Sequence, residues 1–118
     1  MNYKKGDIVV VRFPFIAKEG YEKQKGRPAV VISDNTVKHR YKDLVLAAIT
    51  SQIPEEVMEM ELILEANELT GLVKKSLLRL DFIMTVPDEL ISRKIGFLPD
   101  EILKIADKKL TRMMGITL

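Results

Sequence analysis

Hydrophobic positions fall in short runs along most of the chain, and short runs bounded by turn residues are the pattern of strands. Residues 7–15 are rich in β-branched and aromatic side chains, with Pro14 near the end, and predict a first strand. The Lys-, Glu- and Gly-rich stretch 17–26 predicts a loop. Apolar runs at 28–33, closed by Asp34 and Asn35, and at 43–50 predict two further strands, joined by the basic tract Lys38, His39, Arg40, Tyr41 and Lys42. Between 57 and 64, Met58, Met60, Leu62 and Leu64 alternate with polar positions that include Glu59 and Glu61, which predicts a half-buried strand. The longest alternation spans 76–86. It places Leu78, Leu80, Phe82, Met84 and Val86 on one face and Arg79, Asp81 and Thr85 on the other, with Arg79 and Asp81 about 7 Å apart along the strand.

Residues 91–97 predict a last strand, and the period then changes. Ile102, Ala106, Leu110 and Met113 recur at helical spacing, with Asp100 and Glu101 in the first turn, Lys108, Lys109 and Arg112 in the last, and Gly115 at the stop position. Five or six strands and one terminal helix without βαβ alternation predict a mainly β protein: a small antiparallel barrel plugged or flanked by the helix. At 118 residues the chain is expected to form one domain over 1–118.

Composition narrows the chemistry. Apolar residues are 47% of the chain and charged residues 31%, a globular balance. The absence of cysteine excludes disulfides, thiolate zinc sites and a cysteine nucleophile, and a single histidine excludes a His-rich metal centre. The longest charge-free stretch, 44–54, is shorter than the roughly 20 residues of a membrane-spanning helix. No signal-peptide pattern is visible at the start, so the expected location is the cytoplasm. The net charge of +2 hides a segregation of sign: residues 51–72 hold six glutamates and no Lys or Arg, while the segments on either side are net basic. Such a chain can turn a basic surface toward an anion and an acidic one away from it, or simply solvate a glutamate-rich strand face.

With no Gly-rich phosphate loop, metal-ligand cluster or Ser/His/Asp arrangement, arginine, aspartate and hydroxyl chemistry remains. Arg27, between Gly26 and Pro28, sits where a loop enters a strand. It is either a surface arginine at a strand start or a guanidinium positioned to hold two phosphate oxygens. Thr50 and Ser51 end an apolar strand, where hydroxyls satisfy turn backbone or donate to a phosphate. Arg79 with Asp81 is a structural ion pair or a phosphate clamp, and the exposed His39 is expected to be idle.

Read together, Gly6-Asp7-Ile8-Val9, Phe13-Pro14-Phe15, Gly26-Arg27-Pro28 with the run to Ser33, Ile49-Thr50-Ser51, Gly71-Leu72, Arg79-Leu80-Asp81 and the tail 94–101 resemble the MazF/PemK-like toxins of toxin–antitoxin systems, over almost the full length. The resemblance implies an SH3-like barrel, usually a homodimer, that cuts single-stranded RNA without metal or cofactor and is silenced by a small antitoxin with an acidic, flexible tail. By position it implies Arg27 and Thr50 as the main catalytic pair, Ser51 in support, and Arg79 with Asp81 as the pair on the late strand. Basic loops 17–26 and 36–42, with Lys25 and Arg40, are candidate walls of the RNA groove. Arg27 is expected to stabilise the phosphorane and Asp81 to act as base toward the 2′-hydroxyl. Phe82, where many members carry Gln, is expected to alter base preference, and Pro99, in place of a capping Ser, to be structural only. The rival readings are a nucleic-acid-binding barrel without catalysis and a regulator that binds promoter DNA with the antitoxin.

Overall fold

A computed structural model describes residues 3–16 and 22–117. The chain forms strands β1 (Asp7–Ile16), β2 (Glu22–Val31), β3 (Asp43–Thr50), β4 (Glu61–Leu64), β5 (Ser76–Pro87) and β6 (Ile91–Phe97), then helix α1 (Asp100–Met113). A short 3-10 turn, Asp88–Leu90, links β5 to β6. All six strands join one antiparallel sheet in the order β4-β5-β3-β2-β1-β6. Among the described residues, no helix is long and apolar enough to cross a membrane.

Both faces of the central strands are covered at Ile8, Val9 and Val11 and at Ala29, Val30 and Val31, which is why these apolar stretches lack strict alternation. Ile8, Val30, Ala47, Ile49, Leu78 and Leu80 pack on the side that takes Ala106 of α1. Their neighbours Val9, Val31 and Leu46 point the other way, into a second cluster with Val11, Ala29, Leu44, Val86 and Ile91. Each fully buried Val, Leu or Ile contributes about 1.5–3 kcal/mol. Helix α1 starts after Pro99, whose carbonyl accepts the N–H groups of Ile102 and Leu103, both at 2.9 Å, with no side-chain cap. It ends where Gly115 takes φ +68° and the Ile116 N–H reaches back to the Thr111 carbonyl at 2.9 Å, the Schellman arrangement.

Strands β4 and β6 are the two edges of the sheet. The segment after β4 reaches across to β6, where the Phe97 N–H donates to the Leu69 carbonyl at 2.9 Å. The approach depends on two glycines. A Cβ on Gly71, which has φ +68°, would lie 1.9 Å from the Ile95 carbonyl oxygen, and one on Gly96 would lie 2.3 Å from the Thr70 carbonyl. The expected barrel is thus an antiparallel sheet whose edges are brought together by a loop.

Three expectations about elements are corrected. Residues 22–26 belong to β2, paired with β1 from Ile16↔Glu22 to Arg12↔Gly26, so strand pairing enters the stretch read as loop 17–26; its residues 17–21 lie outside the described residues. The strand expected over 57–64 begins only at Glu61, and Val57 and Met58 are exposed. There the chain turns: Glu61 N–H donates to the Met58 carbonyl at 3.0 Å, Met58 N–H to Glu61 Oε1 at 2.8 Å, and α1 captures Glu59 through Lys109 and Arg112. The third correction concerns β5. Ala47 pairs with Ile83 but Ala48 pairs with Arg79, so Leu80, Asp81 and Phe82 are extra residues against a single step of β3. An odd insertion reverses the facing of every later side chain. Leu78 and Leu80 therefore pack on the α1 side, whereas Met84 and Val86 join the second cluster and Phe82 is 47% exposed.

Candidate active site

Arg27 and Thr50 come together just past the end of the β2–β3 ladder, where both line one cavity. The β2–β3 ladder runs Val31↔Leu46, Val30↔Ala47 and Ala29↔Ala48. Two further steps of that register set Arg27 opposite Thr50, which itself pairs with Leu77 of β5. Arg27 shares the facing of Ala29 and Val31, and Thr50 that of Leu46 and Ala48, so both lie on the sheet side away from α1. Beyond the second cluster this side opens into a cavity of about 280 Å³. Arg27, Pro28, Ala48, Ile49 and Thr50 line it from β2 and β3, and Arg79, Phe82 and Met84 from the bulged part of β5.

Arg79 is held on two sides. Its Nε and Nη2 donate to the two carboxylate oxygens of Asp81, each at 3.2 Å, and its Cζ lies 5.3 Å from the centre of the Phe82 ring. The hydrogen bonds from Arg79 hold the Asp81 carboxyl below its ordinary value against the opposing effect of desolvation, and the Arg79 charge acts in the same direction. The same hydrogen bonds push the Arg79 guanidinium above its ordinary value, with the charges of Asp81 and Glu61 adding to the effect. Asp81 is therefore an ionised acceptor and Arg79 a secure cation.

The two readings of Thr50 turn out to be compatible. Its Oγ1 accepts the Gln52 N–H at 3.2 Å, which satisfies the turn. A hydroxyl that accepts one bond from the backbone keeps its own proton to donate, here beside the cavity.

A second cavity of about 550 Å³ shares Thr50 and Arg79 with the first and is walled by Gln52, Ile53, Pro54, Glu61 and Leu77. The acidic segment is thus not wholly turned away from the cationic site: Glu61 stands at its edge. Ser51 is exposed and lines neither cavity. Arg40 and His39 line two different cavities, of about 470 and 480 Å³, around the loop between β2 and β3. His39 there lies 3.5 Å from Asp43. The backbone of Lys25 pairs with Phe13 in the β1–β2 ladder, and its side chain lies outside the described residues. Among the described residues no group of three or more His, Cys, Asp and Glu is placed to hold a metal ion.

Sequence reasoning missed Met84 as a neighbour of Arg27 and Thr50, and tied Phe82 to base preference only through the family resemblance, while the alternation placed it in the core. Strict alternation sends both to the core, and only the odd-length bulge returns them to the cavity.

Comparison with known proteins places the chain in a family. A family model described as a PemK-like, MazF-like toxin of type II toxin-antitoxin system matches residues 4–114. No match was found among curated protein sequences. Solved structures similar in fold include the Mycobacterium tuberculosis toxin MazF-mt6, with TM-score 0.73, 18% identity, and coverage of 95% of this chain and 99% of that one. An endoribonuclease from a mycobacterial species, solved with its cognate antitoxin, has TM-score 0.74 and 12% identity, with 99% of each chain covered. A MazE–MazF structure from Deinococcus radiodurans has TM-score 0.73 and 19% identity, with 98% of each chain covered. The structural likeness carries the fold, and the family model, spanning nearly the whole chain including Arg27, Thr50, Arg79 and Asp81, carries the assignment. The chain belongs to the PemK-like, MazF-like toxin family of type II toxin–antitoxin systems.

Proposed function

We propose that the protein is a metal-independent, sequence-selective endoribonuclease toxin that cuts single-stranded RNA. The observation that carries this reading is the convergence of Arg27, Thr50 and Arg79 on one open cavity; Asp81 is not among the residues that line it and is tied to it through its hydrogen bonds with Arg79. Two guanidiniums and a donating hydroxyl suit the growing negative charge of a phosphorane, and a carboxylate supplies the base.

In this mechanism the ribose 2′-oxygen attacks the adjacent phosphorus, the 2′-O–P bond forms and the P–O5′ bond breaks. The 2′ proton passes to Asp81 and the leaving 5′ oxygen takes a proton from Arg27; Asp81 then gives its proton to water and Arg27 regains one from it, so no net proton is taken up or released. Arg27 and Thr50 hold the non-bridging oxygens. Both oxygens of Asp81 are engaged by Arg79 in the free protein, so Arg79 must turn onto the phosphate before Asp81 can act. That exchange costs little: the pair is more than one third exposed on each side, and ion pairs of this kind are worth about 0–1 kcal/mol.

The same cationic cavity is where a small antitoxin with an acidic, flexible tail would block RNA, in keeping with the antitoxin complexes solved for family members of the same fold. A homodimer, a single domain over 1–118 and a cytoplasmic location complete the proposal, with promoter DNA as a further partner of the toxin–antitoxin complex. Lys25, Arg40 and Ser51 are assigned to the path of the RNA strand outside the cavity.

The test is cleavage of a long single-stranded RNA in EDTA. The expected outcome is discrete products ending in 2′,3′-cyclic phosphate, no cleavage when the mapped site carries a 2′-deoxyribose, and loss of activity in a folded Arg27→Ala variant. RNA affinity without cleavage would favour the non-catalytic barrel. Tight binding of duplex DNA by the isolated chain, with a steep salt dependence, would favour the promoter regulator.

A further inference from the structure

Phe82 is where the fold departs most from its own pattern. Continued alternation would bury it with Leu78 and Leu80, yet the insertion in β5 leaves it 47% exposed on the wall of the cavity that holds Arg27, Thr50 and Arg79. Exposing a large aromatic ring to water is unfavourable by itself, so the position calls for something that covers the ring. Arg79 lies against it at 5.3 Å, Met84 and Pro28 add apolar wall, and the phosphate-binding groups border the same space. A flat apolar surface beside two guanidiniums matches a flat ring joined to an anion, which is the chemistry of a nucleotide.

We propose that Phe82 is the stacking platform for the nucleobase next to the scissile phosphate, and so a specificity-determining residue of the site. The base lies between Phe82, Met84 and Pro28 while its phosphate engages Arg27 and Arg79. The inference rests on the ribonuclease reading above and names the part of the substrate that the apolar half of the cavity takes. Stacking tolerates any base but strengthens with ring size, so the platform favours a purine over a pyrimidine there.

The chain contains no tryptophan, so Phe82→Trp introduces a single indole reporter at the platform. Binding is read with a non-cleavable 2′-O-methyl RNA octamer of mixed sequence. The expected result in Phe82→Trp is quenching of the indole emission on binding, with an affinity within about twofold of wild type, and binding about 5- to 100-fold weaker in Phe82→Ala. Phe82→Leu, which keeps an apolar contact but no ring, is expected to behave like Phe82→Ala, with circular dichroism unchanged in all variants. Octamer binding without quenching, or wild-type affinity in Phe82→Leu, would overturn the platform while leaving the ribonuclease reading intact. Quenching by an acidic apolar peptide but not by RNA would overturn it in favour of a protein ligand. Wild-type protein that neither binds the octamer nor cuts RNA would overturn the ribonuclease reading and the platform with it.

Discussion

Both carboxylate oxygens of Asp81 are hydrogen-bonded to Arg79, and this lowers the pH at which the group takes up a proton. Because the folded value is depressed, the pair stabilises the fold above the ordinary carboxylate pKa of about 3.9, and that contribution is lost as the pH falls through the lower folded value. Arg79→Ala is expected to return the Asp81 pKa toward its ordinary value, measured by carbon-13 NMR of the side-chain carboxyl between about pH 2 and 6. An unchanged titration would mean that the pair does not form in solution. The side-by-side placement of Arg79 and Asp81 was legible from their spacing of two along a strand. The meeting of Arg27 and Thr50 was not, because it depends on the register of β2 on β3, which no local pattern encodes; only the family resemblance pointed to it.

At the scale of elements, β3 and β6 fall on the runs expected at 43–50 and 91–97, and α1 keeps its helical spacing up to the left-handed Gly115 that stops it. β4 and β5 depart from their expected patterns for long-range reasons. Glu59 is drawn to Lys109 and Arg112 on α1, which shortens β4, and the odd insertion in β5 exchanges core and cavity positions. The contacts of Gly71 lead to a sharp contrast with Gly115. Both have φ +68°, but a Cβ at Gly71 would strike the Ile95 carbonyl, whereas one at Gly115 has nothing within 4 Å. Gly115→Ala should therefore cost about 1 kcal/mol, the conformational penalty alone, and Gly71→Ala about 3 kcal/mol or more, because the loop must also leave β6. Urea unfolding of the two variants measures the difference; equal losses would mean that the loop does not hold the sheet edges together.

Across the whole molecule, the segregation of charge along the chain becomes a partition of the surface. Part of the acidic segment is held by the end of α1 through Glu59, while Arg27 and Arg79 face the cavity on the other side of the sheet. The partition is incomplete, since Glu61 lines the adjoining cavity beside Arg79. RNA affinity should accordingly fall with salt, and Arg27→Ala should lower the slope of log affinity against log salt by about 0.7, the value for one phosphate contact on a single strand. Fluorescence anisotropy across a salt series gives that slope, and an unchanged one would remove Arg27 from phosphate binding.

The most direct test of the account compares single-turnover RNA cleavage in EDTA by wild type, Arg27→Ala, Thr50→Ala and the double variant. Each single change should cost about 10²- to 10³-fold, with the double variant within about tenfold of the worse single one, because both groups serve the same phosphate. Single variants that cut at the wild-type rate, or losses that multiply in full in the double variant, would contradict a shared site.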